Sequence, residues 1–173
     1  MGNIEENPSI YVACLELYNN GRLYGVWIDV TLGVDHIWAE VNAMLKKNRM
    51  PFAEEWAIHD YQNFFSIHIS ESMDFEKVVE IAEFLKEHGK LGAALTEYYG
   101  GDVDDARLAI EENYHGEYRS KVEFAAQLID AKLAKLPNYI RNYFDYESFA
   151  EDLFISDYLD IEVDGKIRVF SCL

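Results

Sequence analysis

The stretch Ser72–Gly89, SMDFEKVVEIAEFLKEHG, constrains the chain most, because it carries two patterns at once. Phe75, Val78, Ala82 and Leu85 recur at helical spacing and form an apolar stripe. Glu76, Glu80, Glu83 and Glu87 recur at 4-3-4 spacing and form a second stripe away from the first. With a rise of about 1.5 Å per residue, these carboxylates sit roughly 5.5 Å apart along the axis. That pitch is comparable with a nucleic-acid backbone, which carries one charge per ~3.4 Å per strand. A solvated helix face is the ordinary reading of such a row. Lys77 and Lys86 lie within helical reach of Glu80 and Glu83 and soften it. The wider stretch Glu71–Glu112 holds twelve acids against four bases.

The rest of the chain repeats the theme. Its 32 acids and 15 bases give a net charge of −17. Residues 1–60 carry −5, residues 61–115 carry −8 and residues 116–173 carry −4, so the acid is not gathered in a tail. Half of the residues are hydrophobic and 25 are aromatic (10 Phe, 12 Tyr, 3 Trp), which marks a folding chain rather than an acidic disordered one. Charge of this size disfavours a nucleic-acid or anionic-membrane partner and suits a basic one. A halophile-like acidic surface is the alternative, which the aromatic content does nothing to support.

Only Cys14 and Cys172 are present, in no ligand-like spacing, and both are expected to be buried free thiols in a reducing compartment. The start, MGNIEENPSI, has no basic n-region, and no stretch approaches the apolar length of a membrane span. A cytoplasmic location is expected.

In chain order, Ile10–Tyr18 reads as a strand and Leu23–Val30 as its hairpin partner, with Asn20-Gly21 in the turn. Asp35–Lys47 reads as a helix with Ile37, Val41, Met44 and Leu45 on one face, and Pro51 closes the following connection. Glu54–Tyr61 reads as a third strand, with Trp56, Ile58 and Asp60 on one side. From Ser72 the period is helical. Gly89 is expected to end the first helix, and Leu91–Tyr99 to form a second, stopped by Gly100-Gly101. Asp102 is expected to cap Val103–Tyr114, with Asp105 in a capping-box-like position, and Ser120 with Glu123 to box Val122–Leu136. Pro137 should open a helix over NYIRNYF, and Asp145 should cap YESFAEDLF. Tyr158–Val163 and Lys166–Cys172 read as a hairpin around Asp164-Gly165. The class is α+β in three small parts: a three-stranded antiparallel sheet with one helix (1–62), a helical part (63–101), and helices with a terminal hairpin (102–173).

Sequence motifs for chemistry are sparse. His36, His59, His68, His88 and His115 form no HExxH or other metal spacing. His59-Asp60 is a possible acid/base pair, against the plainer reading of a strand histidine satisfied by its neighbours. Asp102, Asp104 and Asp105 fail as a calcium loop, because Arg107 and Asn113 stand where glycine and glutamate are needed. No nucleotide-binding or nucleophile motif is present, and no cofactor is expected. Tyr139, Tyr143, Tyr146 and Phe149 repeat at helical spacing. Core packing and a dimer interface both fit that stripe, since tyrosine joins large apolar area to a polar tip.

Four strings resemble the ArdA family of antirestriction proteins, in the family's order and spacing: IYVACLELYNNGRLYGVWID (10–29), EEWAIHDY (54–61), GGDVDDARLAIEENYHGEY (100–118) and NYIRNYFDYESFAEDL (138–153). The chain departs mainly at its ends and around residues 46–53. The resemblance implies an elongated, three-part dimer that mimics bent duplex DNA. It also implies a role on plasmids, conjugative transposons and phage-derived elements. Such a protein occupies the DNA-binding groove of type I restriction-modification enzymes, formed by the specificity subunit and the methyltransferase core. Residues 138–153 are similar to the antirestriction motif, with Asn138, Tyr139, Ile140, Tyr143, Asp145, Tyr146, Phe149, Ala150, Asp152 and Leu153 as its positions here. Tyr114, Tyr118, Tyr139 and Tyr143 are the candidates for a homodimer contact.

The candidate phosphate-mimicking carboxylates run through all three parts. Asp29, Glu40, Glu54, Glu55 and Asp60 lie in the first. Glu71, Asp74, Glu76, Glu80, Glu83, Glu87 and Glu97 lie in the second. Asp102, Asp104, Asp105, Glu111, Glu112 and Glu117 lie in the third. Duplex DNA carries one charge per ~1.7 Å of axis, so −17 matches roughly 29 Å of duplex, or about 8 to 9 base pairs. Two other classes of function stand beside the mimic: an acidic adaptor for some other basic protein, and a small enzyme built on His59 and Asp60.

Overall fold

Apolar and β-branched residues from Ser9 to Cys14 form β1, the middle strand of an antiparallel sheet. The computed structural model describes residues 6–47 and 55–172. The chain divides into two units, Met1–Val103 and Asp104–Leu173.

In the first unit β1 is flanked by β2 (Gly25–Asp29) and β3 (Trp56–Gln62). Ile10 faces Ile28, and Val12 faces both Val26 and Ile58. The three-stranded sheet agrees with the sequence reading, but its first connection does not. β1 stops at Cys14, and Leu15–Asn19 makes one turn of helix, α1, that buries Leu17. The Cys14 amide donates to the Tyr24 carbonyl, so the excursion closes there rather than at a tight Asn20-Gly21 hairpin. Alternating apolar residues fit either a strand or a single helical turn, and the backbone bonds from Asn20 to Leu17 and from Gly21 to Tyr18 complete the turn.

β3 also departs from simple alternation. Tyr11 pairs with Asp60 and Val12 with Ile58, which leaves His59 as an extra, bulged residue. Ala57 and Ile58 are therefore buried in succession, and Trp56, Ile58 and Asp60 do not share one regular face. The expected strand start, Glu54, and the connection with Pro51 lie outside the described residues.

A 3-10 turn, Val30–Leu32, leads into α2 (Val34–Lys47), which buries the expected Ile37, Val41 and Met44. Then comes α3 (Phe75–Tyr98). Its stripe of Phe75, Val78, Ala82 and Leu85 is buried as the spacing requires. Phe75 stacks on Trp56 at 4.3 Å and meets Trp38 edge-on at 4.9 Å, so one ring joins α3 to β3 and α2. Gly89 does break the helix, at φ 55° and ψ −136°, and the second helical arm follows directly.

The second unit holds all but the first residue of α4 (Val103–Glu112), then β4 (Tyr114–Tyr118), α5 (Lys121–Leu133), α6 (Asn138–Arg141), α7 (Tyr146–Ser156), β5 (Tyr158–Val163) and β6 (Lys166–Ser171). The β5–β6 hairpin turns at Asp164-Gly165, both at positive φ, as expected. The sheet nevertheless has three strands, in the order β4-β6-β5. Tyr114–Tyr118 is a strand where the sequence pattern carries the preceding helix on through Tyr114. Phe124 fills the core of this unit, edge-on to Tyr118, Phe154 and Tyr158. At the head of α5 the Glu123 amide donates to Ser120 Oγ at 3.2 Å, and Glu123 Oε2 accepts from the Arg119 amide at 2.6 Å. The helix expected over NYIRNYF is only four residues long. The stripe from Tyr139 to Phe149 is thus divided between α6, a turn and α7.

Candidate protein-interaction surface

None of the carboxylates in the described residues is buried, and all but Asp29, Glu40, Glu80 and Asp160 are exposed. Their ranks include acids outside the candidate set. Glu147 and Glu151, for example, repeat at helical spacing on α7, the signal that could have found them.

Along α3, Glu76, Glu83 and Glu87 are exposed, whereas Glu80 pairs with Lys77 at 2.9 Å. The row is therefore softened at Glu80, as the lysine spacing implies. Glu87 also lies 3.7 Å from His88 Nε2. Glu55, Asp60, Glu71, Asp74 and Glu97 are exposed around the same unit, and Asp102 with them. Glu54 lies outside the described residues. In the second unit Asp104, Asp105, Glu111 and Glu112 are exposed on α4.

Asp29 and Glu117 are each held by more than one internal partner. Asp29 accepts from the Thr31 amide, the Thr31 hydroxyl and Asn7 Nδ2. Burial pushes its carboxyl upward, but those hydrogen bonds and the nearby His36 outweigh it and hold the group below the ordinary range. Glu117 pairs with Lys166 and, at 2.6 Å, with Arg168. The Lys166 hydrogen bond is the main cause of its lowered pKa, with Arg168 adding to it against partial desolvation. Both carboxylates hold the fold together locally as well as contributing charge.

The 138–153 segment separates into an internal lock and an exposed apex. Asp145 caps α7, accepting from the Glu147 and Ser148 amides at 3.1 Å and from Ser148 Oγ at 2.8 Å. Those bonds, the Ser148 amide foremost, lower its pKa. Tyr146 Oη donates to Asp130 Oδ1 at 2.6 Å, Ala150 is buried and Leu153 half-buried. Phe149 packs on Phe144 at 5.3 Å, Asn138 Oδ1 faces Arg141, and Asp152 is exposed. By contrast Tyr139 is 71% exposed, Tyr143 89% and Ile140 44%. Tyr114 and Tyr118 instead lie on β4, packed against Phe170 and Phe124. Burial raises the Tyr114 phenol above its ordinary value.

His59 and Asp60 do not form a pair. Asp60 accepts from the Tyr61 amide, and the His59 ring packs edge-on against Tyr18 at 4.4 Å. No group of three or more His, Cys, Asp or Glu side chains suited to a metal ion occurs among the described residues. No helix among them is long and apolar enough to cross a membrane. Neither cysteine is in a disulfide; Cys14 is buried as expected, but Cys172 is exposed, because it lies just beyond the end of β6.

The fold is that of an acidic α+β protein whose described carboxylates all reach its surface. The family model described as antirestriction protein (ArdA) matches residues 10–166. The chain belongs to the ArdA family of antirestriction proteins. No curated protein matches it.

Proposed function

We propose that this antirestriction protein acts as a mimic of duplex DNA, competing for the DNA-binding groove of type I restriction-modification enzymes. The groove in question is that of the specificity subunit and methyltransferase core, and the protein works as a cytoplasmic homodimer protecting incoming mobile DNA. The observation that carries the reading is the absence of any buried carboxylate among the described residues of a chain with net charge −17. Carboxylates here substitute for phosphates against Lys and Arg of the enzyme. Phosphate contacts carry no base sequence, so inhibition should cross recognition specificities. The three-part division of the chain, 1–62, 63–101 and 102–173, belongs to the same proposal, as does a dimer contact through the exposed Tyr139 and Tyr143.

The test is a competition assay. A type I methyltransferase core is held on a labelled duplex containing its site, and the protein is added at two salt concentrations. Release of DNA at near-stoichiometric protein, weaker at the higher salt, is expected. No release by folded protein would leave an acidic adaptor for another basic protein as the better reading.

A further inference from the structure

We infer that the first unit contains a receptor for one arginine side chain of the basic partner, in the cleft beside β3. This deepens the proposed function and rests on its premise of a basic protein partner. The cleft has a volume of about 500 Å³ and is walled by Tyr18, His59, Tyr61, His68, Ser70 and Glu71. Sites of this size suit a single long side chain or a small ligand.

Three local departures from regular structure build this one place. The bulge at His59 turns an extra side chain out of the β1–β3 ladder, where it meets the Tyr18 ring at 4.4 Å. Asn63 and Phe65, at φ 64° and 53°, then turn the chain after β3. A left-handed backbone at phenylalanine is uncommon, and such strain clusters where a chain must hold a site. Beyond that turn, the Ile58 amide donates to the Glu71 carbonyl at 3.0 Å, which fixes Glu71 along the strand edge. Two further lining residues are tied together by the contact between Tyr61 Oη and His68 Nδ1 at 3.0 Å.

The chemistry of the walls selects a planar cation. Tyrosine faces attract a guanidinium, and arginine stacks on aromatic rings better than lysine does. The Glu71 carboxylate is exposed and offers the opposite charge, with the Ser70 hydroxyl and the imidazoles as further hydrogen-bonding groups. An anionic ligand is disfavoured by Glu71, by the neighbouring Asp60 and by the net charge of −17. Against a distributed field of carboxylates, this cleft supplies one point where shape as well as charge is read.

The experiment is a titration of the full chain with N-acetyl-arginine methylamide, its neutral citrulline counterpart and N-acetyl-lysine methylamide. It is followed by NMR at the His59 and His68 rings and at Tyr18 and Tyr61. Saturable shifts at these residues are expected, strongest for arginine, weaker for lysine and lost for citrulline. Glu71→Gln and Tyr18→Ala should each weaken the arginine response by about two- to fivefold, while Glu162→Gln on β5 leaves it unchanged. Equal shifts for arginine and citrulline, or arginine shifts spread over the carboxylates with no preference for the cleft, would overturn the inference. No restriction enzyme enters this titration. Failure of the competition assay would therefore strike the mimic reading, whereas the arginine receptor stands or falls with the titration alone.

Discussion

Tyr146 donates a 2.6 Å hydrogen bond to Asp130, joining the first residue of α7 to α5. The bond stabilises the protonated phenol, and partial desolvation and the charge of Asp130 act in the same direction, so the pKa of Tyr146 rises above its ordinary 10.0 despite Arg141. Within the same motif-like segment, Tyr139 and Tyr143 stand out in solvent. One stretch of sequence therefore combines an internal tie with an exposed apex.

Tyr146 should ionise above its ordinary value of 10.0. Ultraviolet titration of the wild type and of Tyr146→Phe isolates its transition, and Asp130→Asn should move that transition back toward the ordinary value. A raised folded pKa means that the tie stabilises the fold fully below the unfolded value of 10.0 and is lost as pH rises through the folded one. The Tm gap between wild type and Tyr146→Phe should accordingly be present at neutral pH and close in strong alkali. A gap unchanged by alkali would show that the hydroxyl does not act through its bonded proton.

Asp145 gives the opposite sign. Its folded pKa is depressed, chiefly by the Ser148 amide, so the cap stabilises α7 above the unfolded value of 3.8 and is lost as pH falls through the folded value. Asp145→Ala should lower Tm by a few degrees at pH 7, and Asp145→Asn by less, since asparagine caps about as well. Thermal scans of the three proteins from pH 7 down to pH 2 should show the alanine gap shrinking in acid.

The parts of the fold that are legible in sequence are those where a local pattern meets no competing choice. The stripe on α3, the face of α2, the Ser120–Glu123 box and the turn at Asp164-Gly165 belong here. Tyr114–Tyr118 is not legible because five residues with a central glycine show little alternation, and the strand exists through its pairing with the distant β6. The bulge at His59 likewise follows from register against β1, which no window of sequence contains. For the surface, the sequence counts the acids, but only the fold shows that Asp29 and Glu117 are already engaged.

Gly25 should resist substitution. A Cβ there would press against the Val12 carbonyl oxygen and sit 2.8 Å from Cζ of Tyr11, whose ring meets Trp27 on the same sheet. Because the nearest obstacle is backbone, β1 and β2 would have to separate. Gly25→Ala is expected to cost about 1–3 kcal/mol in urea unfolding, in line with other overpacked sites. Trimming the ring as well, in Gly25→Ala with Tyr11→Leu, should not restore stability.

Phe75→Ala tests the other side of the same sheet. The ring is 1% exposed and touches both Trp56 and Trp38, so its loss removes the bridge from α3 to the sheet. The expected cost is about 3–5 kcal/mol, measured by urea unfolding of the full chain. Tryptophan fluorescence should report the same transition, because two of the three indoles border the cavity.

The carboxylate row of α3 should act collectively. Reversing Glu76, Glu80, Glu83 and Glu87 to lysine changes the net charge by +8, from −17 to −9. In the competition assay this quadruple variant should lose at least about tenfold in apparent affinity and show a shallower salt dependence, since fewer charges are lost to screening. Each single reversal should cost less than about threefold, because exposed pairs are individually weak. Glu80→Lys should cost least of the four, for its charge is already offset by Lys77 at 2.9 Å. A single one of these substitutions that matched the quadruple loss in folded protein would replace the distributed surface with one dominant contact.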